Sequence, residues 1–124
     1  MSTANTTLRS INLAVDRDPL DALTRIDGRV YVGTLTGALT LTNAYPAILK
    51  LDPGGAHRDV TLEADASSAG MYRRIINAAD AAENLVVKSD DPATIGTINQ
   101  NEQGEFYCDG TTWILLAITT IALS

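Results

Sequence analysis

Asn84-Leu85-Val86-Val87-Lys88-Ser89-Asp90-Asp91-Pro92-Ala93-Thr94-Ile95-Gly96-Thr97-Ile98 is the stretch that decides the fold. Two short runs rich in β-branched and aliphatic residues flank a corner of serine, aspartate and proline. Such runs suit a pleated, half-buried surface. Serine, aspartate and proline bend the chain by bonding or fixing their own backbone. The stretch reads as strand, turn, strand.

The same unit recurs outward in both directions. Upstream, strands are expected at residues 30–32, 35–42, 48–51, 60–64 and 71–76. In the second of these, Leu35, Leu39 and Leu41 share one face, and Thr36, Thr40 and Thr42 the other. Asp52-Pro53-Gly54-Gly55 is a turn, because proline presets φ and glycine accepts positive φ. Downstream, residues 99–104 read as a polar loop. Residues 105–108 and 112–118 are expected to pair as a hairpin across Asp109-Gly110-Thr111. Asn77 and Asn84 read as residues that satisfy backbone groups around a bend at 78–82.

Strands every ten or so residues, separated by turn signals, argue for an all-β sandwich or barrel. Helices long enough for parallel-sheet crossovers are missing, so the sheets are expected to be antiparallel. One short helix is expected from Asp18-Pro19, an N-cap followed by a proline suited to the first turn, to Gly28. Residues 1–15 are expected to form an extended N-terminal arm that lies on another molecule or, equally, a first strand of the domain itself. Its polar tip leads into a strand with Ile11, Leu13 and Val15 on one side. Residues 16–124 then form the sandwich domain.

The chain has 124 residues, enough for one domain with a real core. Its aromatic content is small: one Phe, one Trp and four Tyr. A core poor in aromatics leans toward gaining buried area by association with copies of itself. The net charge of -6 disfavours nucleic-acid binding, and Arg73-Arg74 is the only basic pair. The single cysteine, Cys108, excludes an intrachain disulfide and a Cys-based zinc site. The first residues lack the order of a signal peptide, and no apolar run reaches the ~18 residues of a membrane span. Synthesis in a reducing cytoplasm is expected, with no membrane partner and no cofactor.

Residues 113–118, Trp-Ile-Leu-Leu-Ala-Ile, break the alternation. An unbroken apolar strand needs cover on both faces. One face meets the domain's own core. The other is covered either by a sister subunit or by the N-terminal arm or short helix. The first alternative makes Trp113, Leu115 and Leu116 candidate subunit-interface residues.

Candidate chemistry is thin. His57 and Cys108 suggest a nucleophile–base pair, but nothing in the sequence brings them together or supplies an oxyanion hole. His57 reads as a loop histidine bonded to a carboxylate or backbone group, and Cys108 as a small apolar filler. Asp90 and Asp91, with Asp80 and Glu83, lack the ligand spacing of a calcium loop, leaving only the option of an ion between subunits. The glycines of 52–55 are not a phosphate loop. No catalytic or metal-binding residue is assigned, and an enzyme is not expected.

Three segments resemble small virion proteins of tailed bacteriophages. They are Leu-Asp-Pro-Gly-Gly…Arg-Asp-Val-Thr-Leu at 51–62, Ile-Asn-Ala-Ala-Asp-Ala-Ala-Glu-Asn-Leu-Val-Val at 76–87, and Gly-Glu-Phe-Tyr-Cys-Asp-Gly-Thr-Thr-Trp at 104–113. The resemblance covers about half the chain. It is greatest to capsid decoration, or cement, proteins, with related folds in phage fibre knobs. It implies a β-tulip or jelly-roll-like sandwich that forms a homotrimer on the outer capsid surface. There it would bridge capsomers of the major capsid protein and stabilise the shell. The N-terminal arm would make the shell contact, through Leu8, Ile11 and Leu13. The rival expectation is a receptor- or glycan-binding head-fibre or tail-tip domain. It is weakened because Tyr31, Tyr45, Tyr72 and Tyr107 are scattered along the sequence.

Overall fold

The structure, a computed structural model, describes residues 30–123. The expected arm, the helix after Asp18-Pro19 and the boundary between residues 15 and 16 lie outside them. So do Leu8, Ile11 and Leu13.

Nine strands form two sheets that enclose one core. They are β1 (Val30–Thr34), β2 (Leu39–Thr40), β3 (Ile48–Asp52), β4 (Arg58–Thr61), β5 (Tyr72–Asn77), β6 (Leu85–Lys88), β7 (Thr94–Ile98), β8 (Glu102–Cys108) and β9 (Trp113–Thr120). One sheet has the order β1-β3-β5-β8-β9, the other β2-β4-β6-β7. The all-β architecture expected from the strand spacing is present. The only helical element among the described residues is a single 3-10 turn at Asp65–Ser67. None of their helices is long and apolar enough to cross a membrane.

The sheets are mixed rather than antiparallel, and they do not close into a barrel. β1, β3 and β5 pair in parallel, as do β2, β4 and β6. Only β5 with β8, β6 with β7, and β8 with β9 are antiparallel. The expectation failed because it equated a parallel crossover with a helix. Here the chain leaves one sheet, runs down the opposite sheet as a strand, and returns. Each crossover thereby buries its own apolar side chains in the shared core, and no helix is required.

Leu49, Leu51, Val60, Ile75, Leu85, Val87, Ile98 and Phe106 are fully buried between the sheets. Two glycines fit tight approaches. Gly54 has φ 75°, and a side chain there would run into the Leu35 carbonyl. A Cβ on Gly104 would lie 2.9 Å from both Ile98 Cδ1 and Phe106 Cε1. Gly104 also shows that the polar loop expected at 99–104 is shorter, because β8 starts at Glu102.

Asn77 behaves as the sequence suggests. Its side chain is buried, donates to the carbonyls of Glu83 (2.8 Å) and Ile98 (2.9 Å), and accepts from the Ala79 N–H. It holds the β5–β6 corner against the end of β7.

Candidate functional site: the outer face of the five-stranded sheet

Alternation along each strand assigns the two faces. In the five-stranded sheet Leu49, Ile75 and Phe106 point inward, so Ile48, Lys50, Tyr72, Arg74, Ile76, Glu105 and Tyr107 point outward. In the four-stranded sheet Val60, Leu85 and Val87 point inward. The outward row there is Asp59, Thr61, Val86, Lys88 and Thr97, with Lys88 Nζ 3.3 Å from Asp59 Oδ2.

The two outer faces differ in kind. The four-stranded sheet shows threonines and an ion pair. The five-stranded sheet carries Val30 (51 % exposed) and Val32 (67 %) on β1, Tyr107 (37 %) on β8 and Ile114 (38 %) on β9, and Leu116 (53 %) is exposed at an irregularity in the β9 edge. Exposed apolar groups gathered on one face mark an interaction surface more often than scattered ones do.

A polar strip separates the two apolar borders. Tyr72 and Tyr107 are cross-strand partners, as are Arg74 and Glu105. Arg74 Nε donates to the Tyr72 hydroxyl at 3.1 Å, and Arg74 Nη2 donates to Glu105 Oε2 at 2.6 Å. The Tyr72 hydroxyl first, and then Glu105, hold the Arg74 guanidinium above its ordinary range. The side chains of Tyr, Arg and Glu here are thus ordered against one another.

The sequence could not show this clustering. Tyr72 and Tyr107 become cross-strand neighbours only because β5 pairs with β8. Tyr31 and Tyr45 meet through their rings, edge to face, with ring centroids 5.0 Å apart. The four tyrosines thus fall into two neighbouring pairs.

β9 explains the broken alternation of residues 113–118. Glu105 pairs with Ala117, and Phe106 with Leu115, so Leu116 has no cross-strand partner. This β-bulge adds one residue and shifts the phase of everything after it. Trp113, Leu115 and Ile118 therefore share the inner side. Leu115 and Ile118 lie over Gly96 of β7, 3.4 and 3.3 Å from where its Cβ would stand.

The three candidate interface residues consequently part company. Leu116 is free. Leu115 leans over β7 yet keeps 37 % exposure. Trp113 is 5 % exposed, sits in the core cluster and donates from Nε1 to the Glu63 carbonyl at 2.8 Å. Trp113 ties the two sheets of its own chain together.

The remaining candidates have local structural roles. The Asn84 N–H donates to His57 Nδ1 at 2.9 Å, the backbone bond expected for a loop histidine. Cys108 is fully buried, and its Sγ contacts the Asp65 carbonyl at 3.6 Å. Asp80 and Glu83 group with Asp52, within 4.8 Å of one another, and not with Asp90 and Asp91. Asp52 and Glu83 accept the N–H groups of Gly54 and Gly55, which closes the glycine turn.

Asp90 and Asp91 lie instead beside Asp65 and Asp109 in the turns at the other end. Loss of solvent pushes the Asp65 carboxyl up, and Asp90, Asp91 and Asp109 push it further. Hydrogen bonds hold Asp91 and Asp109 below the ordinary range. Asp91 accepts from the Ser89 hydroxyl and the Ala93 N–H, and Asp109 from the N–H groups of Thr111 and Thr112.

No protein-family model matches this sequence, and no curated protein matches it.

Proposed function

We propose that this chain is a structural virion protein of a tailed bacteriophage. It sits on the outer surface of the head as a homotrimer and stabilises the shell by bridging capsomers of the major capsid protein. The observation that carries this reading is the sidedness of the sandwich. One outer face is polar, and the other exposes Val30, Val32, Tyr107, Ile114 and Leu116. A protein whose task is to hold other copies and a shell needs such a face and no reaction chemistry. The resemblance of residues 51–62, 76–87 and 104–113 to decoration proteins points the same way.

In this reading each shell contact is weak. Three linked contacts raise the effective concentration of the next one, so the trimer holds by avidity. The arm, through Leu8, Ile11 and Leu13, touches the shell. Purified protein added to decoration-free heads is expected to raise the temperature at which they release DNA. An unchanged release temperature contradicts the reading. Deleting residues 2–12 is expected to leave the trimer folded but unable to bind heads.

A second reading, a receptor- or glycan-binding fibre domain, is favoured by the Tyr72–Tyr107 pair beside Arg74 and Glu105. Aromatic rings with ordered polar neighbours suit a sugar ring. A glycan array separates the two: binding lost on Tyr107→Ala supports the second reading, and an empty array favours the first.

A further inference from the structure

We propose that copies of this chain meet through a contact between unlike patches, in which the β1 border of one protomer's five-stranded sheet packs against the β9 border of the next. The proposal rests on the self-association reading above and names its surface.

The two borders carry the exposed apolar side chains of the face. Val30 and Val32 stand on β1, and Ile114 and Leu116 on β9, with Tyr107 beside them on β8. Between them lie Lys50, Arg74, Gln103 and Glu105, with the half-buried Ile48 and Ile76 among them. Stacking two whole faces like against like would bury that strip. Desolvating an arginine–glutamate pair is unfavourable unless every partner is retained. Border-to-border packing leaves the strip in water and buries the aliphatic groups.

The two patches are unlike because different strands with different residues form them. β1, β3 and β5 run one way, β8 runs back, and β9 runs with β1 again. A contact between two different patches is heterologous, and such contacts close into rings when the rotation permits. The bulge at Leu116 distorts the β9 edge, which opposes a continuous backbone ladder between subunits. The contact is therefore made by side chains.

Charge argues for a second copy of this chain as the occupant. Among the outward positions of this sheet, Lys50 and Arg74 match Asp52 and Glu105 in number, and Arg74 pairs with Glu105. Of the described carboxylates outside ion pairs, Asp65, Asp80, Glu83, Asp90, Asp91 and Asp109 sit in turns at the strand ends, and Glu102 opens β8. Two copies of a chain with net charge -6 approach with least repulsion side by side, along the neutral face.

The test uses the full chain with Cys108→Ala, carrying Val32→Cys, Leu116→Cys, or both. Within one protomer the two positions lie on opposite edges of five strands spaced about 4.8 Å apart. That exceeds the roughly 4.4–6.8 Å between Cα atoms that a disulfide spans. Oxidation, and in parallel a flexible bis-maleimide, is expected to link the double variant into covalent trimers and leave each single variant unlinked. Val32→Asp and Leu116→Asp are each expected to convert trimer to monomer without unfolding, whereas Thr97→Asp on the opposite sheet leaves the trimer intact.

Covalent dimers from either single variant overturn the proposal, because like patches then meet. So does a wild-type trimer in which the double variant never links. So does a Val32→Cys thiol that is shielded from maleimide in monomer and is freed by deleting residues 1–29, since the chain's own N-terminal segment then covers β1. A wild-type protein that is monomeric by light scattering overturns the self-association reading itself. The two failures are thus distinguishable.

Discussion

Arg73 of β5 and Glu63, just past the end of β4, form an ion pair inside the sandwich, with side chains 2 % and 5 % exposed. The guanidinium also donates to the carbonyls of Thr42, Tyr45 and Pro46. One buried cation thus fastens the segment between β2 and β3 to both sheets.

Removing one member leaves a buried charge uncompensated. Arg73→Met and Glu63→Gln are each expected to lose about 3–5 kcal/mol of unfolding free energy, measured in urea. The double replacement Arg73→Met/Glu63→Met is expected to lose less than Arg73→Met alone. Equal or additive losses would show that the pair is not coupled.

The β3–β4 turn depends on Gly54. Its φ of 75° and the nearby Leu35 carbonyl leave no room for a side chain. Gly54→Ala is expected to cost about 1–3 kcal/mol by thermal or urea unfolding. Gly37, with open space around it, tolerates alanine.

The turn carboxylates give opposite pH responses. Asp91 and Asp109 are depressed in the fold, so their contribution is present above the unfolded value, about 3.9. It is lost as pH falls through their folded values. Asp65 is raised, so its contribution is present at low pH and is lost as pH rises through its folded value. At neutral pH, Asp109→Asn is expected to lower the melting temperature, whereas Asp65→Asn raises it or leaves it unchanged. Melting curves between pH 3 and 7 check both, and a lower melting temperature for Asp65→Asn contradicts the assignment.

Leu115 and Leu116 should respond differently to the same charge. Leu115 leans over Gly96, so Leu115→Asp is expected to destabilise the fold, by about 0.5–3 kcal/mol. Leu116 has no cross-strand partner and is 53 % exposed, so Leu116→Asp is expected to dissociate the oligomer with the monomer fold kept. Circular dichroism with light scattering separates the outcomes. Identical behaviour of the two variants would contradict the bulge.

Local features were legible in the sequence. β6 and β7 lie where the runs around Ser89–Ala93 put them, and the positive φ of Gly54 and Gly55 matches the turn expected there. The hairpin across Gly110 is likewise present. Each follows from residues within a few positions of one another.

Non-local features were not legible. Arg73 and Arg74 are neighbours in sequence, yet one is buried in the core and the other lies on the outer face, because successive side chains of a strand alternate. The Tyr72–Tyr107 pair needs the β5–β8 register, and parallel pairing needs crossovers that alternation alone does not reveal. The unbroken apolar run of β9 was read as two covered faces. Part of that signal is a phase shift at Leu116; Trp113 lies before it and faces the core by ordinary alternation with Leu115.

The central claim is that the apolar outer face of the five-stranded sheet is covered by other copies of this chain. Multi-angle light scattering on the purified full chain at physiological salt tests it most directly. The account expects a single species of three times the 13.2 kDa chain mass. A concentration-independent mass of 13.2 kDa would contradict it.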